Sequence, residues 1–223
     1  MELTEALRTT GAVRAFTDEP VDDATLASVL DNARFAPNGG NAQAWHVVVV
    51  KDSEVRRRLR DLYLPGWYDY LAMHAAGLRP WSPVNDREAE STAVTGAEPA
   101  VDPQGFAENL DTAPVLLALF ADLSGLTAVD RDFDRYPFAG GGSIYPFAWS
   151  ALLAARNEGL GGVITTMCIR QENAVKALLG ASETLALAAV IALGHPVKQP
   201  RRLSRAPVES FATVDRVDGP AFG

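Results

Sequence analysis

The spacing of apolar positions divides the chain into a series of helices and strands. Over residues 22–35, Leu26, Val29, Leu30 and Ala33 recur at helical intervals behind Asp22 and Asp23, either of which can cap free N–H groups. Residues 45–50 form a short apolar run rich in β-branched side chains, which predicts a strand buried on both faces. Ser53 then caps a basic amphipathic helix through Tyr63, with Val55, Leu59 and Leu62 facing inward. Further along, residues 115–121, 162–167 and 185–193 predict buried strands. A helix over 144–157 is small or apolar nearly all round, as expected of a central helix, and Gly159 suits its carboxy-terminal cap. Another helix over 172–179 stops at Gly180. Helices and strands interleave without a regular repeat, the pattern of an α/β sandwich rather than a barrel or solenoid.

Residues 65–105 differ in character. Pro80, Pro83, Pro99 and Pro103 interrupt the stretch, and Glu88, Glu90 and Glu98 make it acidic. Trp67, Tyr68, Tyr70 and Trp81 argue against full disorder, because aromatic side chains need something to pack on. The expected structure is a lid-like insertion with a few helical turns over a pocket. The segment from residue 196 reads as a Pro-rich, basic arm, and residues 1–223 as a single domain.

Composition narrows the function. Twenty Lys and Arg against 28 Asp and Glu give a net charge of −8, which opposes non-specific nucleic-acid binding. Cys168 is the only cysteine, so an internal disulfide is impossible, and a lone Cys after an apolar strand reads as inert core. The acidic opening Met1-Glu2-Leu3-Thr4-Glu5 lacks a signal peptide's basic start, and no apolar run is long enough to span a bilayer, so a cytoplasmic protein without membrane contact is expected.

Residues 36–45, Ala-Pro-Asn-Gly-Gly-Asn-Ala-Gln-Ala-Trp, carry the most chemistry. Gly39 and Gly40 permit close backbone approach, and Asn38, Asn41 and Gln43 offer uncharged donors and acceptors. That combination suits a flat, polar-edged cofactor, although a plain turn has the same composition. His46, His74 and His195 lack metal-ligand spacing, so no metal site is expected. The run Gly140-Gly141-Gly142-Ser143 lacks the Lys of a phosphate loop and reads as a helix cap. Arg8 and Arg14 near the start, and Arg201, Arg202 and Arg205 near the end, would form an anion pocket for a phosphomonoester if the two segments meet; a solvated tail is the plainer alternative.

In order, these landmarks resemble the nitroreductase-like family of flavin-dependent oxidoreductases. Thr10-Gly11-Ala12-Val13-Arg14-Ala15-Phe16 resembles the family's Arg-Arg-Ser-Val-Arg-x-Phe segment. Residues 36–45 resemble its Ala-Pro-Ser-x-x-Asn-x-Gln-Pro-Trp loop. Ser143 through Arg156 with Gly159-Leu160-Gly161 resembles its central helix and exit, and Leu193-Gly194-His195-Pro196 with Arg205-Ala206-Pro207 its closing strand and basic tail. The resemblance implies an α+β sandwich with a mostly antiparallel central sheet flanked by helices, assembled as an intertwined homodimer. It implies non-covalent FMN in two interfacial pockets. Thr10, Gly11, Ala12, Arg14, Arg202 and Arg205 would meet the ribityl phosphate, and Pro37, Asn38, Gly39 and Asn41 of the partner copy would meet the ribityl chain and ring. Thr165, Thr166 and Met167 would lie at the ring's reactive edge. It implies ping-pong chemistry in which NADH or NADPH reduces the flavin and a small planar acceptor, such as a nitroaromatic, quinone or enal, reoxidises it. No catalytic side chain is implied.

Several positions depart from the family pattern. Thr10, Gly11 and Ala12 replace Arg, Arg and Ser, Asn38 replaces Ser, Ala44 replaces Pro, and Leu203 replaces a basic residue. Each lost charge-assisted bond would weaken binding by about 1.5–3 kcal/mol unless Arg8 or Arg202 substitutes. Two further readings therefore stay open: a catalytically silent flavin-binding or sequestering protein, and a deazaflavin-dependent reductase. A third keeps the fold and changes the reaction, toward dehydrogenation, dehalogenation or oxidative ring cleavage.

Overall fold

The computed structural model describes residues 1–97 and 105–223, so Glu98, Pro99 and Pro103 lie outside the described residues. The described helices are α1 (Leu3–Thr9), α2 (Asp23–Ala33), α3 (Ser53–Ala75), α4 (Arg87–Thr95), α5 (Tyr145–Asn157) and α6 (Glu172–Leu179). Strands β1 (Trp45–Val49), β2 (Val115–Asp122), β3 (Gly161–Thr165) and β4 (Leu185–Gly194) form one sheet in the order β1-β2-β4-β3. Every neighbouring pair is antiparallel. The fold is α+β, with helices on both faces of an antiparallel sheet.

Side-chain alternation along β2 builds two cores. Val115, Leu117 and Leu119 pack with Leu26 and Val29 of α2 and with Phe147, Ala148 and Ala151 of α5. Leu116, Ala118 and Phe120 face the other way, onto Leu59 and Tyr63 of α3 and Val175 of α6. The period of two therefore sends each neighbour to a different helical layer.

Helix ends follow the local chemistry. The Asp22 side chain accepts from the Thr25 N–H at 2.7 Å and starts α2. At the exit of α5, Gly159 takes φ +80, its N–H donates to Arg156 O, and the Leu160 N–H reaches back to Ala155 O at 2.9 Å. That pair of bonds is a Schellman closure, open to Gly because the left-handed conformation costs it nothing. Gly180, at φ +68, ends α6.

Four expectations are corrected. First, β1 lies at the sheet edge: Val47 and Val49 face one core and Val48 the other, all only partly buried, while His46 is exposed. Second, Asp52 rather than Ser53 caps α3, accepting from the Glu54 and Val55 N–H groups. Third, α3 runs past Tyr63 and through the exposed Pro65 to Ala75. A proline removes one i→i−4 hydrogen bond, and at this surface position water can satisfy the freed carbonyl. Fourth, β3 ends at Thr165, and the chain turns into a 3₁₀ segment at Met167–Gln171.

Candidate functional site

The predicted binding residues fall into two groups. In the first, residues 10–14 run beside β3: Ala12 bridges Gly162 in parallel and the Val13 N–H donates to Gly162 O at 2.9 Å. Extended geometry buries Val13 and exposes Ala12 and Arg14. Gly161 makes this approach possible, since a Cβ there would come within 2.8 Å of Val13 Cγ2, while a Cβ on Gly162 would instead press on β4, 2.7 Å from Ala192 O.

The head and the tail of the chain do meet. The Val197 N–H donates to Ala15 O at 3.0 Å, Gln199 Nε2 to Thr9 O at 3.3 Å, and the Leu203 N–H to Arg8 O at 3.2 Å. Arg14 next to one strand of this crossing, and Arg201, Arg202 and Arg205 along the other, are all exposed. Beneath them, Thr10 Oγ1 and Gln199 Oε1 are buried and unpartnered among the described residues. At Gly11 an added Cβ would lie 2.8 Å from Leu203 Cδ2, so the tail fills the space a longer side chain would need.

The second group, Pro37 to Asn41, lies at the other end of the sheet. It feeds β1, whose Trp45 pairs with Ala121, whereas Ala12 bridges the β3 end where Gly161 pairs with Gly194 and Val115 with Leu193. At about 3.4 Å per residue, Val115 and Ala121 are about 20 Å apart. One copy of the chain therefore does not bring the two groups together. Asn38 is spent on the loop itself: its Nδ2 donates to Ala36 O, and its Oδ1 accepts from the Gln43 N–H at 2.8 Å. Gly40, Asn41 and Gln43 take φ near +50 to +60 and leave the Asn41 and Gln43 amides exposed and without side-chain partners among the described residues.

Ser143 is a contact the sequence reading missed. Expected as part of a helix cap, its Oγ instead accepts from the Gly39 N–H at 3.0 Å, and no side chain caps α5. The spacing of 104 residues carries no local signal. Behind it, Asp130 organises the connection from β2 to α5. Its buried carboxylate accepts from the Phe138 and Ala139 N–H groups and pairs with Arg135 at 2.8 Å. The Phe138 N–H and the Arg135 guanidinium hold the Asp130 pKa down at about 2.

Between the two groups lies the end of β3. Thr165 is buried and Thr166 and Met167 are half-buried. Thr166 stands at the N-cap position of the 3₁₀ turn without a side-chain cap bond, its carbonyl accepting from the Ile169 N–H at 3.0 Å. The turn's first N–H groups have no acceptor inside it. Helix α3 crosses this turn at Gly66, where a Cβ would stand 2.9 Å from Met167 O. Cys168 points inward to Leu59 O, and burial pushes its thiol up to about 12. The described residues contain no group of three His, Cys, Asp or Glu side chains able to hold a metal ion, and no helix long and apolar enough to cross a membrane.

Comparison with known proteins adds four findings. The family model for the Nitroreductase family matches residues 7–195. Iodotyrosine deiodinase 1 of Pongo abelii is 29% identical over 199 residues, covering 89% of this chain, which spans 62% of that relative's length. Among solved structures, a BluB-like flavoprotein from Clostridium difficile 630 superposes with a TM-score of 0.68 at 22% identity, over 97% of this chain and 100% of the other. The NADPH:FMN oxidoreductase from Vibrio harveyi, complexed with NAD+, superposes at 0.66 and 21% identity, over 96% and 76%. At these identities the structural likeness establishes the fold.

Proposed function

Because this chain belongs to the nitroreductase family, we propose that it is an FMN-dependent oxidoreductase. It would carry hydride from NADH or NADPH to a small planar acceptor by a ping-pong route, with its flavin sites between two copies of the chain. The observation that carries the reading is the split site: two binding groups stand at opposite ends of the sheet, each with polar groups left over. A second copy would bring the loop of one chain to the head and tail of the other.

The residues present fit an FMN phosphate. Arg14, Arg202 and Arg205 supply exposed guanidinium groups where head and tail cross, and Thr10 Oγ1 is a buried hydroxyl without a partner. From the partner copy, Pro37 and Gly39 would border the ribityl chain and Asn41 the ring's polar rim. Asn38 acts differently, holding the loop's shape. Thr165, Thr166 and Met167 would present backbone N–H groups to the ring edge, and Arg14 would favour its electron-rich reduced form. FMN, when bound, supplies the two-electron chemistry, so no acid-base side chain is assigned.

A specific observation favours a second reading. Leu203 and Pro200 close over Gly11, so apolar packing replaces the cations that the family carries there. A silent flavin binder or a deazaflavin enzyme would follow if that change costs FMN its hold. The relative named as a deiodinase keeps reductive dehalogenation within the scope of the acceptor.

The test is a visible-spectrum titration of the purified chain with FMN, followed by NADH or NADPH without oxygen and sedimentation to read the assembly. Bound flavin bleached by either nucleotide in a dimer supports the proposal. Bound flavin that neither bleaches favours the silent binder. Failure to bind FMN overturns the cofactor assignment and directs the titration to a deazaflavin.

A further inference from the structure

Helix α3 carries Tyr63, Trp67, Tyr70 and His74 on one face at spacings of four, three and four residues. Their rings form a ladder. Tyr63 and Trp67 stack with centroids 6.2 Å apart, Trp67 and Tyr70 at 5.4 Å and only 3° from parallel, and Tyr70 and His74 at 6.2 Å. Trp81 approaches Tyr70 at 6.4 Å from the loop after α3. At the outer end of the ladder opens a cavity of about 530 Å³, lined by Tyr70, His74, Leu78, Arg79 and Pro80. Its size falls in the range of small-molecule sites.

The charge around this cavity is unusual for so acidic a chain. Arg79 and His74 are exposed and make no ion pair or side-chain hydrogen bond among the described residues. Arg170 lies over the Trp81 ring at 5.0 Å, also without an ion pair among the described residues. The buried acid nearby, Glu90, is already engaged by Asn85 at 2.8 Å and Arg87 at 3.1 Å. The carbonyl end of α3 opposes an anion, but the Gly77 and Leu78 N–H groups already bond His74 O and Met73 O. Trp81 is held at φ +50, a conformation a bulky side chain rarely adopts. Asn85 Nδ2, donating to Arg79 O, pins the same loop.

We propose that this shelf binds a planar ring bearing an anionic group, the ring stacking on His74 at the outer end of the ladder and the anion meeting Arg79. Two sources share that chemistry, an aromatic carboxylate and a nucleoside monophosphate. The assignment does not depend on the flavin reading, because the cavity lies beyond the α3 crossing at Gly66 and contains none of the cofactor residues.

The test is calorimetric titration of the full chain, as purified and again with FMN added. The probes are 2-naphthoate, 5′-AMP and the uncharged 2-naphthalenemethanol. Saturable binding of either anion, absent for the alcohol and weakened about tenfold or more by Arg79→Ala, is expected. Arg79→Lys should recover part of it, since charge survives and the planar fork does not. The anion that binds identifies the source. Binding of neither anion, equal binding of the alcohol, or indifference to Arg79→Ala overturns the proposal. Arg79 is exposed and its side chain unpartnered, so circular dichroism should show the variants folded. A Trp67 and Trp81 fluorescence titration gives a second readout.

Discussion

The Thr165 hydroxyl donates to the Tyr63 phenolic oxygen at 3.1 Å, joining the end of β3 to the middle of α3 across a buried contact. Tyr63→Phe would leave the Thr165 hydroxyl without this acceptor, at an expected cost of about 1–2 kcal/mol. Urea unfolding followed by circular dichroism measures it. If bound FMN lies against Thr165, the same substitution should also shift its visible absorption, which a purely structural bond would not do.

Gly66 is where α3 touches the Met167 carbonyl, with a hypothetical Cβ at 2.9 Å. Alanine gains about 1 kcal/mol of helix propensity but must push backbone aside, and overpacking typically costs about 1–3 kcal/mol. The net expectation is a lower unfolding midpoint together with weaker FMN binding. An unchanged midpoint would show that α3 yields freely at this crossing.

Asp130 gives the chain an acid sensitivity of known sign. Its folded pKa is about 2, against about 3.9 for a free aspartate. Its stabilisation is therefore complete above the unfolded value and is lost as pH falls through about 2. In thermal melts between about pH 5 and pH 2, Asp130→Asn should start lower than the parent and decline less steeply. Parallel curves would remove Asp130 from the acid response.

Arg205 and Arg14 test the head-and-tail crossing. Arg205→Ala or Arg14→Ala should weaken FMN by about tenfold or more, the worth of one charge-assisted bond, with the far-ultraviolet spectrum unchanged. Equal affinity in Arg205→Ala would make the tail a solvated arm.

Cys168 should behave as core. With its thiol pushed up to about 12 and its side chain buried, alkylation by iodoacetamide at about pH 8 should be negligible in the folded chain and complete in denaturant. Rapid labelling of the folded chain would mean that the 3₁₀ turn after Thr166 opens.

Much of the fold was legible because the apolar periods are clean. The helices at 22–35, 144–157 and 172–179 and the strands along 115–121 and 185–193 follow their patterns to within a residue or two. The failures have local causes. Pro65 masked the continuation of α3, although Tyr63, Trp67, Tyr70 and His74 already carried a helical repeat across it. Edge position, which decides how far β1 is buried, depends on strand order, and strand order has no local signature. At the candidate site, the meeting of head and tail was expected only conditionally, since bonds such as Leu203 to Arg8 join residues far apart in the chain. Ser143 and Asp130 were missed for a related reason: each holds backbone N–H groups, which look alike in every sequence.

The bonds from Val197, Gln199 and Leu203 back to Ala15, Thr9 and Arg8 also set a timetable for assembly. During synthesis at about 5–20 residues per second, the first segment waits on the order of ten seconds or more for the partner that will cover it. Helices α2 and α3 can form and collapse meanwhile from neighbouring residues, while the most non-local pairing must come last. Ribosome-stalled chains ending before residue 196 should therefore show residues 8–11 open to proteolysis, closing only once the tail has emerged.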